Sequence, residues 1–331
     1  MSVDNSSAKT IARYQQWVES YIARQRYGKD PASLYEPIRY IMQLGGKRLR
    51  PLLVLLSYAL FRDDVKKIVP YAVAVELFHN FTLVHDDIMD QAPLRRGKPT
   101  VHEKWNVSTA ILSGDVMLVK VYDLFLQLPP KKAVQVLNLF NTCATQVCEG
   151  QQLDMEFESL FNVTEKEYIG MIRQKTAALL GFSMELGGCL AGTSSSTCKA
   201  LRTFGINMGI GFQLMDDLLD AYGNPEKFGK QIGGDIIANK KTYLLIRSLA
   251  HASPAQRAEL EKWLKARSFD PIEKVKAVKK VWDELHIQQA TQQLINTYFN
   301  KAFSSLNRVK GHRETKEVLY HLTGSLINRQ Q

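Results

Sequence analysis

The sequence predicts an all-α fold, a single large helical bundle, from three observations. Apolar residues recur at spacings of three and four along most of the 331 residues. No stretch shows the sustained alternation with paired turn signals that a sheet requires. The breaks are short: Gln91 to Pro99, the Pro129-Pro130 pair, Ala191 to Thr197, Gly223 to Asp235 and the neighbourhood of Pro271. They separate helices and contain no long Gly/Ser or Pro-rich linker, so a single domain spanning 1–331 is expected.

The clearest helix runs from Val69 to Asp90, where Val73, Leu77, Phe81, Val84 and Ile88 form one apolar stripe that should face the core. Composition, at 45% hydrophobic and 23% charged residues, is that of an ordinary globular protein. The polar segment Met1 to Thr10 lacks the pattern of a signal peptide, and no apolar run approaches the length of a transmembrane span, so a cytoplasmic location is expected. Cys143, Cys148, Cys189 and Cys198 have neither metal-finger nor redox spacing and read as reduced thiols.

A net charge of +10 favours an anionic partner: nucleic acid, an acidic membrane surface or a phosphorylated small molecule. The basic residues lack the interleaved aromatics and the motif of a nucleic-acid module, so no nucleic-acid partner is expected.

The segment Asp86-Asp87-Ile88-Met89-Asp90 places three carboxylates at the end of the apolar helix. A helix C-terminus is already partly negative, so this clustering is unfavourable without a cation. At about 100° per residue Asp90 lies about 40° from Asp86, on the face opposite the stripe. The pattern returns at Asp216-Asp217-Leu218-Leu219-Asp220, where Gly205, Gly209 and Gln213 fall on the Asp216/Asp220 face and leave room for a ligand. A solvated acidic helix end explains one such run; two on otherwise apolar helices are harder to explain that way. Carboxylates facing each other across a bundle, with no His or Cys at ligand spacing, suit Mg²⁺ and predict a diphosphate bridging the two helices.

Basic segments flank both runs. Gly45-Gly46-Lys47-Arg48-Leu49-Arg50-Pro51 opens an apolar helix, and a glycine pair lets backbone and cations approach an anion together. Pro93-Leu94-Arg95-Arg96-Gly97-Lys98 follows the first acidic run and brings two guanidiniums near its carboxylates. Phe228-Gly229-Lys230-Gln231-Ile232-Gly233-Gly234-Asp235 and Asn239-Lys240-Lys241-Thr242 follow the second. A flexible cationic loop after an acidic helix can close over an anion and exclude water.

These motifs, in this order and over most of the chain, resemble the trans-isoprenyl diphosphate synthases, which include farnesyl and geranylgeranyl diphosphate synthases. The resemblance implies a helical bundle of the isoprenoid synthase type with a central active-site cavity, a homodimer, and isopentenyl and allylic prenyl diphosphates as substrates. It makes Asp86 and Asp90 ligands of two Mg²⁺ ions and Asp216 a ligand of a third, with Asp87, Asp217 and Asp220 supporting or completing the shell. Arg95, Lys175, Lys230 and Lys240 match residues that bind the allylic diphosphate, and Thr176 and Gln213 line the cavity beside the departing group. Lys47, Arg50, His79 and Arg96 match the isopentenyl diphosphate site. Gln151 and Asp154 resemble a cavity-facing segment more loosely. The segment Leu326-Ile327-Asn328-Arg329 resembles a tail whose arginine can fold toward isopentenyl diphosphate. Within this set the catalytic group is Asp86, Asp90, Arg95, Lys175, Asp216 and Lys230. A class I terpene cyclase would need no isopentenyl site, and a catalytically silent binding subunit would not need intact acidic motifs.

Product length is expected to depend on residues one turn before Asp86. Thr82 lies about 40° from Asp86 around the helix, whereas Phe81 lies about 140° away and joins the apolar stripe. A small Thr82 at the cavity wall favours the twenty-carbon geranylgeranyl product over the fifteen-carbon farnesyl product.

Overall fold

The computed structural model describes residues 2–160, 162–223 and 233–327. Its helices are α1 Ser2–Arg24, α2 Ala32–Gln43, α3 Leu49–Ala59, α4 Val69–Met89, α5 Val101–Lys104, α6 Val107–Phe125, α7 Pro130–Ser159 and α8 Glu165–Ile172. They continue with α9 Ala178–Leu190, α10 Ser195–Tyr222, α11 Gly234–Ile237, α12 Tyr243–His251, α13 Pro254–Lys265, α14 Pro271–Glu284, α15 Ile287–Asn307 and α16 Arg313–Ile327. Among the described residues, strands are confined to one two-residue pair, β1 Leu94–Arg95 and β2 Lys98–Pro99, so the fold is all-α as expected.

Local chemistry sets many of the boundaries. Asn106 caps α6 by accepting from the Thr109 amide, and Thr164 with Glu167 and Ser253 with Gln256 form capping boxes at the starts of α8 and α13. Pro130 and Pro271 occupy first helical positions, where a missing N–H costs nothing. No helix among the described residues is long and apolar enough to cross a membrane, and all four cysteines are free thiols.

The chain divides into two compact units: Met1–Thr142 with Phe182–Arg202 and Val309–His321, and Cys143–Gly181 with Thr203–Arg308 and Leu322–Gln331. In the first, α4 packs along α6 and α3 and buries Val73, Leu77, Phe81 and Val84, while Ile88 at the end of the stripe is half-exposed. Phe140 anchors an aromatic cluster, with ring centroids 5.0 Å from Phe78, 5.4 Å from Phe125 and 5.9 Å from Phe182. Each such ring contributes roughly 1.5–3 kcal/mol by leaving water. Gly114 allows α6 to cross close to α4, since a Cβ there would lie 2.4 Å from His85 Nε2.

In the second unit, α10 lies against α9 at very short range. A Cβ on Gly205 would lie 2.5 Å from the Leu180 carbonyl oxygen, and one on Gly209 would lie 2.7 Å from Ala177 Cα. This corrects the reading of these glycines as room for a ligand: the space they leave is filled by the neighbouring helix backbone. Their face of α10 turns toward α9, and close helix packing is what requires them.

Candidate active site

In the first unit the connection from α2 to α3 is bent by Gly45 (φ 73°), Gly46 (φ 132°) and Arg48 (φ 47°). The glycines are needed here because the left-handed region penalises a Cβ. Arg96 donates to the Gly45 carbonyl, and a Cβ on Gly46 would meet the Arg96 guanidinium carbon at 3.0 Å. Lys47 is exposed, with its carbonyl accepting from Gln15 Nε2 at 3.1 Å. Arg48 turns inward instead, donating to Glu76 at 2.9 Å, to Glu19 at 2.7 Å and to the Met42 carbonyl at 2.6 Å.

Arg50 and His79 meet at 3.0 Å between Nη1 and Nε2. Arginine only donates, so His79 Nε2 accepts and the ring proton sits on Nδ1. Burial, reinforced by Arg50, Arg96, Arg95 and Arg48, holds the His79 pKa well below its ordinary value. The imidazole is therefore neutral and coexists with the guanidiniums at no electrostatic cost. Lys47, Arg50, His79 and Arg96 come from three different places in the sequence, and the unit gathers them around one glycine bend.

The first acidic run ends α4. Asp86 is half-buried, Asp87 is buried at 1% exposure, and Asp90 is exposed as the C-cap, its amide donating to the Asp86 carbonyl at 2.9 Å. Arg96 (φ 54°) and Gly97 (φ 74°) turn the following hairpin with two positive φ values, the signature of a type I′ turn. That turn folds Arg95 back onto Asp87: Nε lies 2.8 and 2.9 Å from its two oxygens and Nη2 lies 2.6 Å from Oδ1. Burial opposes the Arg95 charge, but Asp87, then Asp86 and Asp90, more than compensate and raise its pKa. Asp87 thus holds Arg95 in place.

The second unit carries the other residues. Arg173–Ala177 is a π-helical turn, a distortion that widens the helix and reorients its side chains. Gly150 on α7 accommodates it, since a Cβ there would lie 2.2 Å from the Lys175 amide nitrogen. From this turn Lys175 reaches Asp154 at 2.5 Å, and Thr176 donates to Gln213 Oε1 at 3.0 Å. Gln213 in turn donates to Asp217 Oδ1 at 3.0 Å, and Tyr168 donates to the other Asp217 oxygen.

Burial, with help from Asp235, raises the Asp217 pKa to about 7 against the opposing effect of Tyr168, Gln213 and Lys240. Asp216 and Asp220 are half-buried, and Asp220 Oδ2 accepts from the Asp235 amide at 2.9 Å, tying the second acidic run to α11, five residues before Lys240. Lys230 and Arg329 lie outside the described residues.

Each acidic run presents carboxylate oxygens. The nearby His85 is turned away, with its ring 4.7 Å from Phe81 and Nε2 3.3 Å from the Ile111 carbonyl. Among the described residues no three such side chains are gathered as a metal cage; what the two runs offer is ligand chemistry, carboxylate oxygens without sulfur or nitrogen, of the kind a hard divalent cation takes. Sequence reasoning passed over Tyr168 as a partner of Asp217 and gave Asp154 little weight. Tyr168 lies 49 residues from Asp217 in the chain, so no local spacing points to the pair.

The polyprenyl synthetase family model matches residues 31–284. A short chain isoprenyl diphosphate synthase of Methanocaldococcus jannaschii is 43% identical over 217 residues, covering 65% of this chain and 66% of that protein. A geranylgeranyl pyrophosphate synthase of Geoglobus acetivorans is 37% identical over 303 residues, 91% of this chain and 92% of that one. A crystal structure of a geranylgeranyl pyrophosphate synthase superposes with a TM-score of 0.89 at 40% identity, over 99% of both chains. The chain therefore belongs to the polyprenyl synthetase family and is a prenyltransferase.

Proposed function

We propose that the chain condenses isopentenyl diphosphate with an allylic diphosphate in trans, head to tail, and that its main product is geranylgeranyl diphosphate. The observation that carries the condensation is the Lys47, Arg50, His79 and Arg96 cluster around Gly45-Gly46. It is a diphosphate station beyond what ionising a single prenyl diphosphate would require. Arg50 and Arg96 supply fork-shaped donors, Lys47 a compact cation and neutral His79 its Nδ1–H.

On the allylic side, family resemblance makes Arg95, Lys175, Lys230 and Lys240 the residues that bind and orient the leaving diphosphate; each within its own unit, Arg95 is held by Asp87 and Lys175 by Asp154. These preset cations stabilise the charge that develops as the allylic carbon–oxygen bond breaks and its electron pair stays on the diphosphate. The allylic carbon then bonds to the isopentenyl double bond, and the released diphosphate accepts the proton that is lost. Mg²⁺, about three ions by family resemblance, would be held by Asp86, Asp90 and Asp216 with Asp87, Asp217 and Asp220 in support, and supplies charge neutralisation when bound. Removing Lys47 weakens one anchor of one substrate. Lys47→Ala is expected to raise KM for isopentenyl diphosphate about tenfold and leave KM for the allylic substrate within about twofold, measured by varying each at saturation of the other.

Product length rests on α4. Phe81 is buried against Phe78 at 5.6 Å, whereas Thr82 is half-buried and its hydroxyl is satisfied by the His79 carbonyl at 2.8 Å. Thr82 is the small residue in this turn that a growing chain can pass. Analysis of products from farnesyl and isopentenyl diphosphates should give the twenty-carbon diphosphate; no elongation of farnesyl diphosphate would sink that reading. Thr82→Phe should shift the main product one isoprene unit shorter, and an unchanged distribution would remove Thr82 as the determinant.

The active form is proposed to be a cytoplasmic homodimer in which residues 1–331 act as one polyprenyl synthase domain. Leu112 and Val119 on α6 and Leu126 at its C-cap recur every seven residues with 57%, 58% and 61% exposure, an apolar stripe suited to a second copy of the helix. Light scattering should give twice the 37.6 kDa chain mass.

A further inference from the structure

The second unit contains a lysine where its fold calls for an apolar residue. On α14, positions 274, 278 and 281/282 share one face, and Val278, Val281 and Trp282 there are buried. Lys274 is buried with them at 0% exposure. Lysine is almost never fully buried, because its ammonium loses hydration that only good acceptors can replace.

Two acceptors are in place: Nζ lies 2.6 Å from Asn239 Oδ1 and 3.1 Å from the Ile237 carbonyl, and 4.1 Å from the centre of the Phe269 ring. Both oxygens belong to the short segment that leads from α11 into Lys240. Asn239 has a left-handed backbone (φ 56°) and its side-chain Nδ2 donates to the Leu264 carbonyl at 3.2 Å. The Lys240 amide donates to the Asp235 carbonyl at 2.9 Å, and Asp235 is itself fixed by Asp220. Lys240 is thus held from one side through the second acidic run and from the other through Lys274 and Asn239.

We propose that Lys274 is a positioning residue: through Asn239 it fixes the backbone of Lys240 and so sets how well the allylic diphosphate is gripped. This rests on the reading of Lys240 as an allylic diphosphate ligand. The methylene stem of Lys274 supplies the packing that an aliphatic residue would, so the ammonium and its two bonds are what the enzyme gains from a lysine here.

The test compares Lys274→Met, which keeps the stem and removes the charge, with Asn239→Gly, which keeps the left-handed turn and removes the acceptor. Lys240→Ala and the Lys274→Met/Lys240→Ala pair complete the set. Loss of a charge-assisted hydrogen bond predicts a rise of about tenfold in KM for the allylic diphosphate in each single variant, with KM for isopentenyl diphosphate unchanged. Adding Lys274→Met to Lys240→Ala should change nothing further, because both act through the same ammonium.

If Lys240→Ala raises the allylic KM while Lys274→Met and Asn239→Gly do not, the latch is wrong and the reading of Lys240 stands. An equal rise for both substrates would reduce Lys274 to a stability role, and a multiplied effect in the double variant would place it on another path; either overturns the proposal. If Lys240→Ala itself leaves the allylic KM unchanged, the underlying reading of Lys240 falls and takes the latch with it. Should Lys274→Met fail to fold, Asn239→Gly decides alone, since it leaves the α14 core intact.

Discussion

Asp86→Ala and Asp216→Ala are each expected to lower kcat by at least about 10²–10³-fold, the cost of deleting one group that organises stabilisation of developing charge. Helical content, followed by circular dichroism, should stay at the starting value. Both carboxylates are half-buried at the polar ends of helices whose cores are formed by other residues, Val73, Leu77 and Val84 on α4 and Leu214, Met215 and Leu218 on α10. Asp87 and Asp217 are different in kind. Asp87 is buried under Arg95, and Asp217 under Tyr168 and Gln213, so their removal strands partners and should cost stability as well as rate. Near-normal turnover in Asp86→Ala or Asp216→Ala would sink the assignment of the two runs to the metal-assisted step.

Arg48→Met should have the largest effect on folding. Arg48 and Glu76 are exposed by only 3% and 2%, and they meet at 2.9 Å. Breaking a buried pair from one side leaves the other charge without its counterion, at about 3–5 kcal/mol. Glu19 on α1 and the Met42 carbonyl at the end of α2 lose the same donor, so the bend that presents Lys47 and Arg50 loosens with it. Denaturant unfolding should report the loss, and the KM for isopentenyl diphosphate should rise in whatever fraction remains folded. A variant unfolding within about 1 kcal/mol of the parent would show that the charges are compensated elsewhere.

What the sequence disclosed follows from what is local. The apolar stripe of α4, the proline starts of α7 and α14 and the carboxylates at the end of α4 are read directly from spacing, because period and turn chemistry act within a few residues. Residue types that need a distant partner were less legible. Gly205 and Gly209 look like space until α9 is seen to fill it, and the π turn at Lys175 depends on Gly150 from another helix. Nothing in the sequence sets Lys274 apart from the other lysines of α14, and only the fold places its ammonium between Asn239 and Ile237. The Arg95–Asp87 pair, eight residues apart, exists because Arg96 and Gly97 adopt positive φ, a turn the Arg-Gly dipeptide permits but does not announce.

Condensation is measured by incorporation of labelled isopentenyl diphosphate by the purified chain, offered alone and with dimethylallyl, geranyl or farnesyl diphosphate, with Mg²⁺ present or chelated. Label should appear in a longer prenyl diphosphate only when both substrates and the metal are present. Consumption of the allylic diphosphate at an undiminished rate without isopentenyl diphosphate would mark a cyclase, and binding of both substrates without turnover a silent subunit; either would contradict it.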